Sequence, residues 1–100
     1  MTKLVRDNIP AIIAKSGLTP DIRILDDAEY REALFAKLIE EAGELRDEPN
    51  IEEVADIYEV LESVKKVMNL SNDEIEKVRL AKKLKNGGFE KKILLINNIK

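Results

Sequence analysis

One hundred residues that are 44% hydrophobic but only 4% aromatic suit a single domain, 1–100, whose modest core is built from Ile, Leu, Val and Ala on helices. The chain has no cysteine and no histidine, which removes disulfides, thiolate chemistry, the Ser-His and Cys-His nucleophile pairs and the usual zinc ligand. Hydrolytic chemistry here would have to run on carboxylates, lysines and a hard metal ion. The net charge of −3 conceals two poles: Glu40 to Glu62 carries ten acidic residues and one basic, whereas Lys77 to Lys92 carries seven basic and one acidic. Such poles suit a ligand that needs both signs, as a metal-bound polyphosphate does. No apolar run reaches membrane-span length and the N-terminal stretch lacks a signal-peptide core, so a cytoplasmic protein without membrane partners is expected.

Leu4 to Lys15 holds the first helix start, with Asp7 or Asn8 as N-cap before Ile9 and Pro10, and Gly17 as its stop. Asp21 to Leu25 alternates polar and apolar residues and predicts a short strand. Asp26 and Asp27 cap the longest helix, which runs to about Asp47 and breaks at Glu48-Pro49-Asn50. Within it Gly43 costs about 1 kcal/mol relative to Ala and leaves room for a close neighbour. Ile51 to about Asn69 is the next helix. Ser71-x-x-Glu74 has the form of a capping box, opening a helix that continues to about Asn86. Gly87-Gly88 ends it, and Phe89 to Ile96 predicts a second short strand that could pair with the first. The expected class is mainly all-α: an antiparallel helical hairpin or bundle with two short strands, completed by dimerisation.

The chemistry concentrates in the two long helices. Leu34, Leu38, Glu41 and Leu45 follow the spacing of a buried stripe, and so do Glu53, Ile57, Val60 and Val64. One carboxylate in each stripe thus takes a place that asks for an apolar residue. A short loop folds the helices back on each other, so Glu41 and Glu44 at the end of one meet Glu53 and Asp56 at the start of the next. The pattern assigns these four acids no lysine of their own. Apposed and empty they would repel, and one or two Mg²⁺ ions, with Mn²⁺ as a substitute, would relieve them through oxygen ligands.

The run Glu40-Glu41-x-x-Glu44 followed by Glu53-x-x-Asp56 resembles the all-α nucleoside triphosphate pyrophosphohydrolases, the MazG-like group that includes phosphoribosyl-ATP pyrophosphohydrolase. The opening Lys3-Leu4-Val5-Arg6-Asp7 with Ile9-Pro10, the Glu29-Tyr30 start and the late Gly87-Gly88-Phe89-Glu90 resemble a small single-domain, house-cleaning subfamily of that group. The resemblance implies Glu41, Glu44, Glu53 and Asp56 as Mg²⁺ ligands. Glu40 and Glu41 are implied as the catalytic pair, with Glu40 orienting water or holding a second metal. The implied reaction is hydrolysis of a nucleoside triphosphate, including non-canonical ones, to a monophosphate and pyrophosphate. Asn8 and Asn86 stand where relatives commonly carry a basic residue, which implies a different grip on substrate.

Phosphate oxygens would need cationic partners. Arg6 can grip two oxygens at once and Lys3 lies beside it; Lys82 and Lys85 precede the amides of Gly87 and Gly88. A helix stop flanked by lysines accounts for the latter group equally well. Two other readings stand beside the enzyme. One is a non-catalytic acidic helical module that binds a nucleotide or a protein. The other is a nucleic-acid binder, which the pI of about 5.1 and the absence of interleaved aromatics disfavour.

Overall fold

Residues 2–98 are described by a computed structural model. They form four helices: α1 (Ile9–Lys15), α2 (Asp27–Asp47), α3 (Ile51–Val67) and α4 (Asn72–Asn86). The chain divides into two units, Met1–Asn69 and Leu70–Lys100. No helix among the described residues is long and apolar enough to cross a membrane.

Local sequence chemistry sets the helix boundaries. Asn8 is the N-cap residue of α1, although its side chain makes no capping bond, and Pro10 occupies the first turn, where its missing N–H leaves no carbonyl unsatisfied. Asp26 accepts from the Glu29 amide at 2.8 Å while the Glu29 carboxylate accepts from the Asp26 amide at 3.2 Å, closing a capping box on α2. Arg23 reinforces that start with two bonds of 2.9 Å to Glu29. The paired guanidinium, then the amide of Asp26, hold the Glu29 carboxyl well below its ordinary range, to about 2. Asn50 caps α3 through the Glu53 amide at 2.9 Å, and Ser71 with Glu74 forms the capping box that opens α4. Gly87, at φ +84°, ends α4 in a conformation that costs glycine little.

In the first unit α2 packs on α3 as an antiparallel hairpin joined by residues 48–50. Both expected stripes form its seam. Leu34 (4% exposed) and Val60 are buried, and Leu38, Leu45, Ile57 and Val64 are half-buried around them. Burying a Leu or Val contributes about 1.5–3 kcal/mol each, so this short seam is the main apolar term in the unit. Glu41 is buried in the same seam.

Neither short strand forms. Residues 21–26 carry no ladder, and Ile22 and Ile24 (86% exposed) have no sheet face to cover them. In the second unit the chain turns at Phe89–Lys91, where the Lys92 amide donates to the Phe89 carbonyl at 3.1 Å and Lys92 itself takes φ +59°. That turn interrupts the extended run the sequence suggests, leaving Ile93 to Ile96 without a strand partner and exposed. Alternation prepares a segment for a sheet, but a ladder partner is what makes one.

A Cβ added at Gly43 meets nothing within 4 Å. Gly43→Ala should therefore stabilise the protein by about 1 kcal/mol through helix propensity alone, read as a raised urea midpoint at unchanged slope. Arg23→Met should raise the Glu29 titration from about 2 toward the ordinary carboxylate range but short of it, because the Asp26 amide still donates to Glu29, as followed by carboxyl-carbon NMR.

Candidate metal centre

The hairpin turn carries the site. Because α2 ends where α3 begins, the last turns of one helix and the first turns of the other stand side by side. One carboxylate oxygen from each of Glu41, Glu53 and Asp56 lies within 4.8 Å of the others. Neighbouring oxygen ligands on a Mg²⁺ or Mn²⁺ ion sit about 3 Å apart, so three oxygens gathered this closely could reach one such ion by moving inward. Glu44 is exposed and stands outside the three-oxygen group, but it is close enough to Glu53 to act on its ionisation.

Burial and crowding both oppose charge here. Glu41 is 6% exposed, and its Oε2 has no hydrogen-bond partner; neither has Oε2 of Glu53. Desolvation first, and then the charges of Glu44, Glu41 and Asp56, raise the Glu53 carboxyl above its ordinary value. Glu41 and Glu53, each with a buried, unpartnered oxygen, together with Asp56 form an all-oxygen donor set that would fit a hard divalent cation.

Three cations already stand around this cluster. The Lys37 ammonium lies 3.3 Å from Glu40 and 3.3 Å from Glu41, with its side chain only 17% exposed. Burial works against its charge, but the bonds to Glu40 and Glu41 prevail and its pKa is raised. Arg6 donates to Oδ1 of Asp56 at 2.7 Å, and Lys3 lies 3.9 Å from Glu40. Arg6 and Lys3, considered from sequence as phosphate ligands, are thus seated on the acids themselves. With every group ionised, five carboxylates (Glu40, Glu41, Glu44, Glu53, Asp56) face three cations (Lys3, Arg6, Lys37). The surplus of two negative charges equals the charge of one divalent ion.

Lys37 corrects the expectation that the acids have no lysine of their own. It precedes Glu40 by three residues and Glu41 by four, the spacing at which helix side chains meet, and that signal was present in the sequence. The remaining candidates, Lys82, Lys85, Gly87 and Gly88, belong to the second unit. Lys82 lines a shallow depression with Leu70, Ile75 and Val78, Gly87 ends α4, and a Cβ at Gly88 would run into the Glu90 carboxylate. Local structure accounts for both glycines.

No protein-family model matches the chain, and no solved structure matches it. Over 46 residues it is 61% identical to an uncharacterized protein of Mycolicibacterium smegmatis (strain ATCC 700084 / mc(2)155), covering 46% of this chain and 47% of that protein. The matched stretch thus spans about half the length of that curated relative.

A raised carboxyl pKa means that the folded state holds its proton more tightly than the unfolded chain does. Ionisation of Glu53 therefore subtracts stability as pH rises through its raised value, and protonation restores it below the ordinary value of about 4. Glu53→Gln should flatten the pH dependence of thermal unfolding above that value and raise the metal-free midpoint by a few degrees at pH 7. An unchanged or lower midpoint at pH 7 would show that Glu53 is not strained by its neighbours.

Proposed function

We propose that this protein is a divalent-cation-dependent nucleotide pyrophosphohydrolase, converting a nucleoside triphosphate and water into a nucleoside monophosphate and pyrophosphate. The observation that supports this reading is the gathering of Glu41, Glu53 and Asp56 across the hairpin, with unpartnered buried oxygens on Glu41 and Glu53. The resemblance of Glu40-Glu41-x-x-Glu44 and Glu53-x-x-Asp56 to the MazG-like pyrophosphohydrolases points the same way.

In this reading Glu41, Glu53 and Asp56 hold the cation and Glu44 borders it. Bound there, Mg²⁺ or Mn²⁺ would withdraw charge from phosphoryl oxygens and lower the pKa of a coordinated water, work that a histidine-free chain has to obtain elsewhere. Glu40, kept in place by Lys37 and Lys3, accepts a proton from the attacking water or holds it in line. Lys37 fixes Glu41 and Glu40 in one arrangement before substrate arrives, so less ordering remains to be done at the reacting phosphate. A second copy of the chain is the proposed partner. Ile51 (84% exposed), Val54, Tyr58 and Leu61 form an apolar face on α3 that the rest of the first unit does not cover, and these residues support that assignment.

One observation favours a second reading. Lys3, Arg6 and Lys37 already offset much of the acidic charge, as they would in a non-catalytic acidic helical module that binds a nucleotide or a protein. Pyrophosphate release from a panel of canonical and modified nucleoside triphosphates, with Mg²⁺, with Mn²⁺ and with chelator, separates the two. The enzyme reading expects cation-dependent release that falls by at least about a hundredfold in Glu41→Gln and in Glu53→Gln while the helical circular dichroism persists. Nucleotide binding without turnover would select the module, and parental rates in either variant would remove these residues from the site.

A further inference from the structure

The cations around the acidic cluster are not alike. Lys37 comes from α2 itself, is largely buried, and contacts Glu40 and Glu41 together. Arg6 comes from the segment preceding α1, carries a 58% exposed side chain, and contacts Asp56 alone, whose side chain is 38% exposed. An exposed ion pair contributes little net stability, whereas separating a buried one leaves a charge stranded. Of the two, the Arg6–Asp56 pair is the one that can be exchanged. Asp56 is also one of the three acids whose oxygens converge, so a divalent cation bound there would compete with Arg6 for the charge of the same carboxylate.

We propose that Arg6 is an exchangeable counter-ion: it neutralises Asp56 while no divalent cation is bound, and, released when Asp56 takes a cation, it becomes the anion-binding group of the loaded site. This rests on the cation-binding reading above and extends it by making capture of a phosphate-containing anion conditional on the cation. A guanidinium freed beside a cation site is suited to the task. Its fork matches two phosphate oxygens, and the short backbone segment keeps it close to Asp56. The order has a physical advantage. With Arg6 on Asp56, the site holds an unneutralised surplus of carboxylates and repels polyanions; after the exchange it presents a cation and a free guanidinium at one place.

The proposal requires effects of opposite sign from one substitution. In calorimetric titrations with Mg²⁺ alone, Arg6→Gln should bind the cation several-fold more tightly than the parent, because a competitor has been removed. In titrations with imidodiphosphate, a non-hydrolysed pyrophosphate analogue, at saturating Mg²⁺, the same variant should bind about tenfold more weakly, the scale of a lost charged hydrogen bond. Arg6→Lys, which keeps the charge but not the fork, should fall between them. A purely structural arginine would weaken both titrations together. On the unsubstituted protein, arginine side-chain ¹⁵N NMR should show the Arg6 signal leaving its ion-paired position as Mg²⁺ is added, then shifting again with imidodiphosphate, which keeps the test valid if a variant folds poorly. If the parent binds no divalent cation, the underlying site assignment fails and the exchange fails with it. If the parent binds Mg²⁺ while Arg6→Gln binds it no more tightly, or the Arg6 signal stays in place, the exchange alone is overturned.

Discussion

Glu41 is a buried carboxylate in a seam made, apart from Glu41 and Glu53, of leucine, isoleucine and valine, and much of the first unit is arranged around its charge. An unpaired ion in such a place would cost several kcal/mol, far more than one apolar contact returns. The fold answers in two ways. Lys37, one turn earlier on the same helix, supplies an ammonium to one oxygen, and the hairpin brings Glu53 and Asp56 to the same point. The first response lowers the energy of the empty site; the second raises it. A protein under selection for stability alone would have no use for the second, since a leucine at position 41 would complete the seam.

That tension connects packing to chemistry. Among the described residues only Leu34 and Val60 are buried apolar side chains of the seam, so the unit has little apolar stabilisation to set against the repulsion among Glu41, Glu44, Glu53 and Asp56. Capping compensates in part. The same stretches that end and begin the long helices also aim the acids, because Asn50 fixes the amide of Glu53 and so the first turn of α3. Charge repulsion is therefore concentrated on capped helical backbone, which has little freedom to relax. Under the cation-binding reading proposed above, a site held in this condition would be preorganised for its ion, and binding would be linked to stability in the usual way.

The three neighbouring cations give the cluster an internal gradient. Lys37 is held by two acids and sheltered from water; Arg6 and Lys3 reach in from a non-helical segment and remain half open to solvent. Strength of attachment thus falls from the seam outward. Exchange of ligands would start at the outer end, at the solvent-open contacts of Lys3 and Arg6.

Helix existence, the caps at Asp26 and Ser71, and the seam through Leu34, Glu41, Val60 and Glu53 were all legible in the sequence, because each depends on residues within a turn or two of one another. Asn50, which the sequence marks only as part of a break, is the cap of α3. So was the meeting of the two acidic clusters, since a three-residue connection leaves adjacent helices little choice but to fold back. The Lys37 contacts were legible too, by the same one-turn rule, yet a lysine reads as solvated until its neighbours are known to be buried. Tertiary structure alone decided the rest. Whether Asp21 to Leu25 and Phe89 to Ile96 pair depends on a partner strand, and a partner is a property of the whole fold, not of a segment. The placing of Arg6 on Asp56 joins residues fifty positions apart, beyond any periodic pattern. Local chemistry thus determined which acids could meet, and long-range packing determined which cations meet them, because short-range rules act through backbone geometry while ion pairing across the chain acts only once the backbone is already in place.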